Sequence, residues 1–400
     1  MKNDKSSRAF ARLSVLAACG FLTWVGEAST GCSADGSISP SPELPSEASI
    51  PPLEVDAGTF DAEPCDECAF FLPECAPHSF CPVTLDDLEV DTSAMLTDIH
   101  GTSPEDVWVA GTKSTLLHHD GTAWSRVQGP DAPLTQIVAR SKADVWTASA
   151  LTQFFVRSPG ADIEWPKARL VPFAVDAQIN GIWSTADATW TWLAVDNSPY
   201  DSVPRTLSIK RVRKSTTAYL YDEPFACGGV CPPFSRLALT DVHGSSRDNL
   251  WAVGDLGTTY RISAADTDLP LVEAYDSRTY TTLHGVWTSE PNDAWAVGSG
   301  GVIRHYTGSA DRRFEVVASP VSNHLRAIAG VSNSDLWAVG DGGLILHYDG
   351  TEWSRVPLGG VRDKPDLRAV WAASATRVWA AGQGVLLELS SGGGRTGGGT

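Results

Sequence analysis

The sequence predicts an all-β chain: a seven-bladed β-propeller preceded by a disordered tether and a small cysteine-rich segment. Three observations predict it. A leading apolar residue recurs at Leu96, Leu134, Ile179, Leu239, Leu283, Leu325 and Leu367. A tryptophan follows each one, at Trp108, Trp146, Trp190 or Trp192, Trp251, Trp295, Trp337 and Trp379. Most steps between copies are 38 to 45 residues, the size of one four-stranded blade, and the third copy alone is much longer.

The clearest copy shows how each unit folds. Leu325 to Gly330 opens it, and Asp335-Leu-Trp337-Ala-Val-Gly340 follows. Gly340, then Gly343 after two residues, supplies the positive φ that a tight hairpin needs. The strand Gly343 to Tyr348 ends in Asp349-Gly350, a second turn signal, before Trp353-Ser-Arg-Val356. Four short strands result, and such blades arranged radially bury one another's faces. The last copy ends at Leu389 without a Trp-x-x-Val strand. The run Val83 to Val90 is expected to supply it, joining the ends of the ring and removing its open edge.

The Trp-Ala-Val-Gly-x-x-Gly hairpin resembles that of secreted bacterial propellers labelled sialidase-like or related to photosystem-assembly propellers. The resemblance covers about three quarters of the chain and implies the propeller fold. The loop His-Tyr-Asp-Gly-Thr-x-Trp at 347–353 is one residue shorter than the usual Asp-box of sialidase-like repeats, and fold likeness does not carry chemistry with it.

The N-terminus reads as an export signal over residues 1–31. Lys2, Lys5, Arg8 and Arg12 precede an apolar run from Leu13 to Val25, too short to span a bilayer. Ser29-Thr30-Gly31-Cys32 resembles a lipoprotein cleavage site, which makes Cys32 the expected lipidated residue. Leu16-Ala17-Ala18-Cys19 is a second candidate, and cleavage without lipid a third reading. Residues 32–64 form a Pro- and Ser-rich acidic linker that cannot bury enough apolar surface to order itself. From Ser33 to Met95 there are fourteen acids and no Lys or Arg, so much of the net charge of −18 belongs to the tether. That charge argues against nucleic-acid binding, which needs clustered cations. Residues 391–400 form a Gly-rich tail.

Cys65, Cys68, Cys75 and Cys81 cluster within the segment 65–81, and Cys227 and Cys231 form a close pair. In an exported chain these read as disulfides, with three pairings open to the cluster. Cys65-x-x-Cys68 also has zinc-ligand spacing, the lesser reading in an oxidising compartment.

Candidate sites divide into those that recur and those that vary. His118, His305 and His347 recur with the repeat and are read as scaffold. Asp106, Asp144, Asp293 and Asp335 precede the tryptophans and are read as turn residues bonding local backbone. The position four after the leading residue varies, as His100, Val138, Trp183, His243, Trp287, Ala329 and Trp371. His100, Trp183, His243, Trp287 and Trp371 are therefore expected near the central channel, packed between blades or stacking on a sugar or other polar ligand. The long third copy carries Arg205, Lys210, Arg211, Arg213 and Lys214. They are read as a surface for an acidic partner or as a charged, protected edge strand.

No nucleophile elbow, zinc-protease helix, phosphate loop or EF-hand loop is present, so no catalytic residue, cofactor or metal site is assigned. The expected function is a non-enzymatic lipoprotein of the outer membrane or cell surface, held to the membrane only by its N-terminal lipid. It would bind a protein or polysaccharide of the cell envelope. An exported sialidase-like glycan hydrolase is the alternative, which a non-repeated acid pair with Arg on one propeller face would favour.

Overall fold

Alternating apolar residues and paired glycine turns produce strands throughout. The computed structural model describes residues 69–149, 153–157, 170–171, 178–196, 207–215, 219–222 and 237–390. The signal segment with Cys19 and Cys32, the linker, Cys65, Cys68, Arg205, Cys227, Cys231 and the Gly-rich tail lie outside the described residues. The described strands form seven sheets: six of four or more strands, and one of three (Leu134–Ser141, Asp144–Ser149 and Phe154–Arg157). No α-helix occurs among the described residues, only three short 3-10 turns.

Each sheet begins with an inner strand led by the recurring apolar residue. These are Leu96–Ser103, Leu134–Ser141, Gln178–Trp183, Leu239–Ser246, Leu283–Glu290, Leu325–Ser332 and Leu367–Ser374. Each packs against the next, and the last against the first, which closes a ring. The molecule is a β-propeller.

The core is divided rather than central. Seven apolar clusters lie one at each junction between neighbouring sheets. One recurring tryptophan anchors each: Trp108, Trp146, Trp192, Trp251, Trp295, Trp337 and Trp379, all at most 4% exposed. Register settles the third copy in favour of Trp192. It pairs with Trp183 across the first hairpin, as Trp295 pairs with Trp287 and Trp379 with Trp371.

The ends of the ring are joined by the N-terminal side, through a different strand from the one expected. Phe80–Pro82 lies antiparallel to Val385–Leu389, with Phe80 opposite Leu389 and Pro82 opposite Leu387. Leu358–Gly359 and Phe71–Leu72 extend the same sheet outward. The run 83–90 is not a strand. Asp86–Leu88 is a 3-10 turn, and Leu85 and Leu88, three apart, face one cluster as that geometry requires. The closing strand thus draws the end of the cysteine-rich segment into the propeller. Cys75 and Cys81 are both thiols here. Burial, then Cys81 beside it, pushes the Cys75 thiol up to about 12.

Phe80 is fully buried and meets Trp337 edge-on at 5.5 Å. Phe80→Ala is expected to destabilise the fold by about 3–5 kcal/mol, the cost of emptying an aromatic site in a core. Leu269→Ala, at a side chain 88% exposed, should change almost nothing. Chemical denaturation of both variants checks this, and equal midpoints would show that the closing strand is dispensable.

Candidate functional site: the axial channel

The seven inner strands surround a cavity of about 260 Å³ on the propeller axis, and all seven contribute lining residues. His100, Trp183, His243, Trp287 and Trp371 all line it, so the structure brings the five varying positions onto one surface. Each sits directly opposite the recurring tryptophan of its own sheet.

These residues also reach the next blade. The rings of Trp371, Trp183 and Trp287 lie over Gly101, Gly244 and Gly330 of the following inner strands. A Cβ on those glycines would stand 2.6, 2.7 and 3.0 Å from the respective indole. The imidazoles do the same with a hydrogen bond. Ala139 N–H donates to His100 Nδ1 and Thr288 N–H to His243 Nδ1, both at 3.2 Å. Each Nδ1 must therefore be the unprotonated nitrogen, which leaves the proton on Nε2. Burial holds His100 down to about 4 and His243 down to about 3, so both rings are neutral at physiological pH.

Two further channel residues were missed in the sequence: Asp98 and Asp241. Asp98 accepts from Ile99 N–H at 2.9 Å and from Ile137 N–H, on the next blade, at 2.8 Å. Asp241 accepts from Val242 N–H at 2.8 Å and from Val286 N–H, again on the next blade, at 2.9 Å. Beside them, Thr97 and Thr240 donate to Leu134 and Leu283 carbonyls across the same two junctions. The signal was legible: Leu-Thr-Asp-x-His-Gly occurs at 96–101 and again at 239–244, and in no other copy. Both carboxylates belong to residues that line the cavity. Burial, and for Asp98 the charge of Asp241, pushes Asp98 up to about 8, and burial pushes Asp241 up to about 6.

At one mouth stand His284, Arg326 and Arg368. Arg326 grips Asp341 with two bonds of 2.8 and 2.5 Å, and Arg368 lies 3.5 Å from Asp366. Among the described residues, no three His, Cys, Asp or Glu side chains are placed to hold a metal ion.

The basic segment takes a different place from the one expected. Ile209–Lys214 is an interior strand between Thr191–Asp196 and Tyr219–Asp222, not an edge. Lys210 and Arg211 are 1% and 2% exposed, so neither can meet a partner; Lys214 alone of the four described cations is exposed. Arg211 stacks over Trp190 at 4.0 Å. It bonds Asp222 at 2.8 Å and the carbonyls of Thr267 and Asp268 at 2.6 and 3.1 Å. Its partner across the hairpin is Trp192, just as His118, His305 and His347 face Trp108, Trp295 and Trp337. Arg211 is thus the third copy of the recurring position, displaced in sequence by the long insertion.

The recurring aspartates are corrected too. Instead of bonding turn backbone, Asp106, Asp293 and Asp335 hold His118, His305 and His347 at 2.9, 3.1 and 2.9 Å. The three imidazoles stack on the tryptophans at 4.1, 3.8 and 4.1 Å. Asp144 instead takes the indole N–H of Trp146 at 2.8 Å.

Two outcomes follow from this geometry. Arg211→Ser should cost about 3 kcal/mol of stability, because it strands buried carbonyls; the Asp222 share is smaller, being solvent-screened. An unchanged melting temperature would contradict the buried role. The second concerns pH. Asp98 titrates higher in the fold than in the unfolded chain, so its contribution is fullest below about pH 4 and is lost as pH rises through about 8. The melting temperature of wild type minus that of Asp98→Asn should therefore fall steadily from pH 4 to pH 8. A difference that grows over this range would overturn the assignment.

No family model and no curated protein matches the chain. Solved structures do. YCF48 bound to D1 peptide is 16% identical, with a TM-score of 0.57, over 80% of this chain and 99% of the other. YCF48 from Cyanidioschyzon merolae is 15% identical, with a TM-score of 0.56, over 77% and 98%. A catalytically inactive virginiamycin B lyase from Staphylococcus aureus, solved with quinupristin, is 14% identical, with a TM-score of 0.59, over 78% and 98%. At these identities the likeness is one of fold, and it places the chain among the β-propellers.

Proposed function

We propose that this chain is a non-enzymatic binding or assembly module whose axial channel receives part of a protein or polysaccharide partner of the cell envelope. One observation carries the reading. The residues that build the blades recur from copy to copy, whereas the channel residues His100, Trp183, His243, Trp287 and Trp371 vary and converge on one cavity. Variation confined to a shared concave surface is what a recognition site on a repeated scaffold requires. That a similar propeller, YCF48, is described as bound to a peptide supports a protein partner.

The finer parts of the proposal rest on the sequence. The propeller is read as seven-bladed, with the three-stranded sheet as a full blade. Cys32 carries the lipid that holds the chain at the outer membrane or cell surface, with residues 32–64 as the spacer. Stable anchoring then needs more than one acyl chain, at about 0.8 kcal/mol per buried CH₂. The cysteines are read as disulfides in the exported protein, with three pairings open to Cys65, Cys68, Cys75 and Cys81, and Cys227 with Cys231 closing the loop of the third copy.

The acid pair Asp98 and Asp241, with Arg326 and Arg368 on the same lining, is what speaks for the hydrolase alternative. A glycosidase needs one carboxyl to donate a proton and another to attack or activate water. Here both oxygens of each carboxylate hold backbone N–H groups of two blades, a task that suits ring geometry better than proton transfer.

The test is capture of envelope components by the lipid-free propeller, wild type against Gln136→Trp, which puts an indole at a lining residue outside the apolar junctions. Loss of capture with an unchanged melting temperature is expected. Undiminished capture would remove the channel from the reading. Release of reducing sugar from envelope glycan by wild type, lost in Asp241→Asn, would establish the hydrolase instead. Intact mass of the mature protein checks the lipid: a mass of unmodified residues would refute it.

A further inference from the structure

We propose that the axial cavity is a site for an organic cation, an ammonium or guanidinium group of the kind carried by a lysine or arginine side chain, held between Asp98 and Asp241. The inference rests on the reading of the channel as a binding site and names what enters it.

The placement comes from the duplicated Leu-Thr-Asp-x-His-Gly. Its two copies lie on inner strands separated by two others on one side of the ring and three on the other. Asp98 and Asp241 therefore face one cavity from nearly opposite walls, and the charge of Asp241 reaches Asp98.

Their charge has no counterion. The hydrogen bonds to both carboxylates come from neutral backbone amides, and neither forms an ion pair among the described residues. The cations lining the same cavity are already engaged at its mouth, Arg326 by Asp341 and Arg368 by Asp366. His100 and His243 are neutral, since each Nδ1 accepts a backbone N–H. Two acids facing an enclosed space without a cation raise each other's protonation, and a ligand cation relieves that cost.

The walls favour an organic cation. Trp183, Trp287 and Trp371 line the cavity only with the uncovered part of rings otherwise packed at blade junctions, and Trp183 and Trp287 flank His243 at 6.1 Å each, so the wall beside the acids is largely apolar. A hard metal ion would need a shell of oxygens, which the described residues do not assemble. A cavity of about 260 Å³ accommodates one long side chain.

The titratable and charged groups that face the two acids are His100 and His243 on their own strands and His284, Arg326 and Arg368 on the neighbouring ones. The imidazoles sit near 4, 3 and 4, and the bond to Asp341 holds the Arg326 guanidinium further toward its charged form. Between pH 5 and pH 9 the acids are thus the groups of this site that change charge, and cation affinity should rise as they ionise.

The experiment is calorimetric titration of the mature full chain with N-acetyl-lysine methylamide, with spermidine, and with the neutral N-acetyl-norleucine methylamide. The lysine amide should bind at one site, the norleucine amide should not, and affinity should rise at least about tenfold from pH 5 to pH 9. Asp98→Asn with Asp241→Asn should weaken binding by at least about tenfold, a change of one pKa unit or more. If that variant does not fold, the wild-type pH profile and the neutral probe decide alone. Equal binding of the norleucine amide, a flat pH profile, or no binding of either amine overturns the proposal. Binding of spermidine without the lysine amide upholds the cation site and assigns it to a free amine. If no amine binds while Gln136→Trp still abolishes capture, this inference falls and the binding module stands; if capture also persists, both fall.

Discussion

Each sheet of this chain has two apolar faces and can bury them only against the sheets beside it. That constraint governs the rest. No single core exists; instead seven layers lie between sheets, each anchored by one tryptophan. A layer left open exposes both its faces, so the ring must close to be stable. This explains why a short strand far from the C-terminus in sequence, Phe80–Pro82, sits beside Val385–Leu389 with Phe80 fully buried. It also explains the tight small residues at the junctions. Trp183, Trp287 and Trp371 fit because glycine stands under each indole on the next strand.

The tryptophan layer takes a polar partner in most copies. Across the hairpin, histidine or arginine stands opposite the indole in five of them, held by an aspartate in three, whereas Val156 and Glu388 stand opposite Trp146 and Trp379. Arg211 fills this role in the third copy, which accounts for its burial in an otherwise solvent-accustomed residue type. A planar guanidinium can stack on an indole and satisfy several carbonyls at once, and lysine at the same point would do neither well.

The channel is where this economy of repetition stops. Asp98, His100, Asp241 and His243 take backbone N–H groups from the next blade, so they clamp junctions with polar atoms where other copies use tryptophan on glycine. Buried acids and imidazoles are costly when apolar packing is available. Both kinds of junction occur in one ring, so the scaffold does not require the polar kind, and its presence at two places puts two acids on the lining of one cavity.

The sequence by itself determined the repeat, its strands, the apolar residues that lead each blade, the inner-strand position of five variable residues, and the need for a closing strand. These depend on local periods and on residues at constant spacing, which a chain carries in its order alone. Only the tertiary structure decided which strand closes the ring, because alternation at 83–90 and at 80–82 reads alike until the partner Leu387 to Leu389 is in place. It decided that Ile209–Lys214 is interior, because an insertion hid the register that pairs Arg211 with Trp192. It decided that Asp98 and Asp241 share a cavity, because they face one space only once ring closure has turned a linear separation into opposite walls. Periodicity survives in one dimension, whereas register across insertions and proximity across a ring exist only after closure.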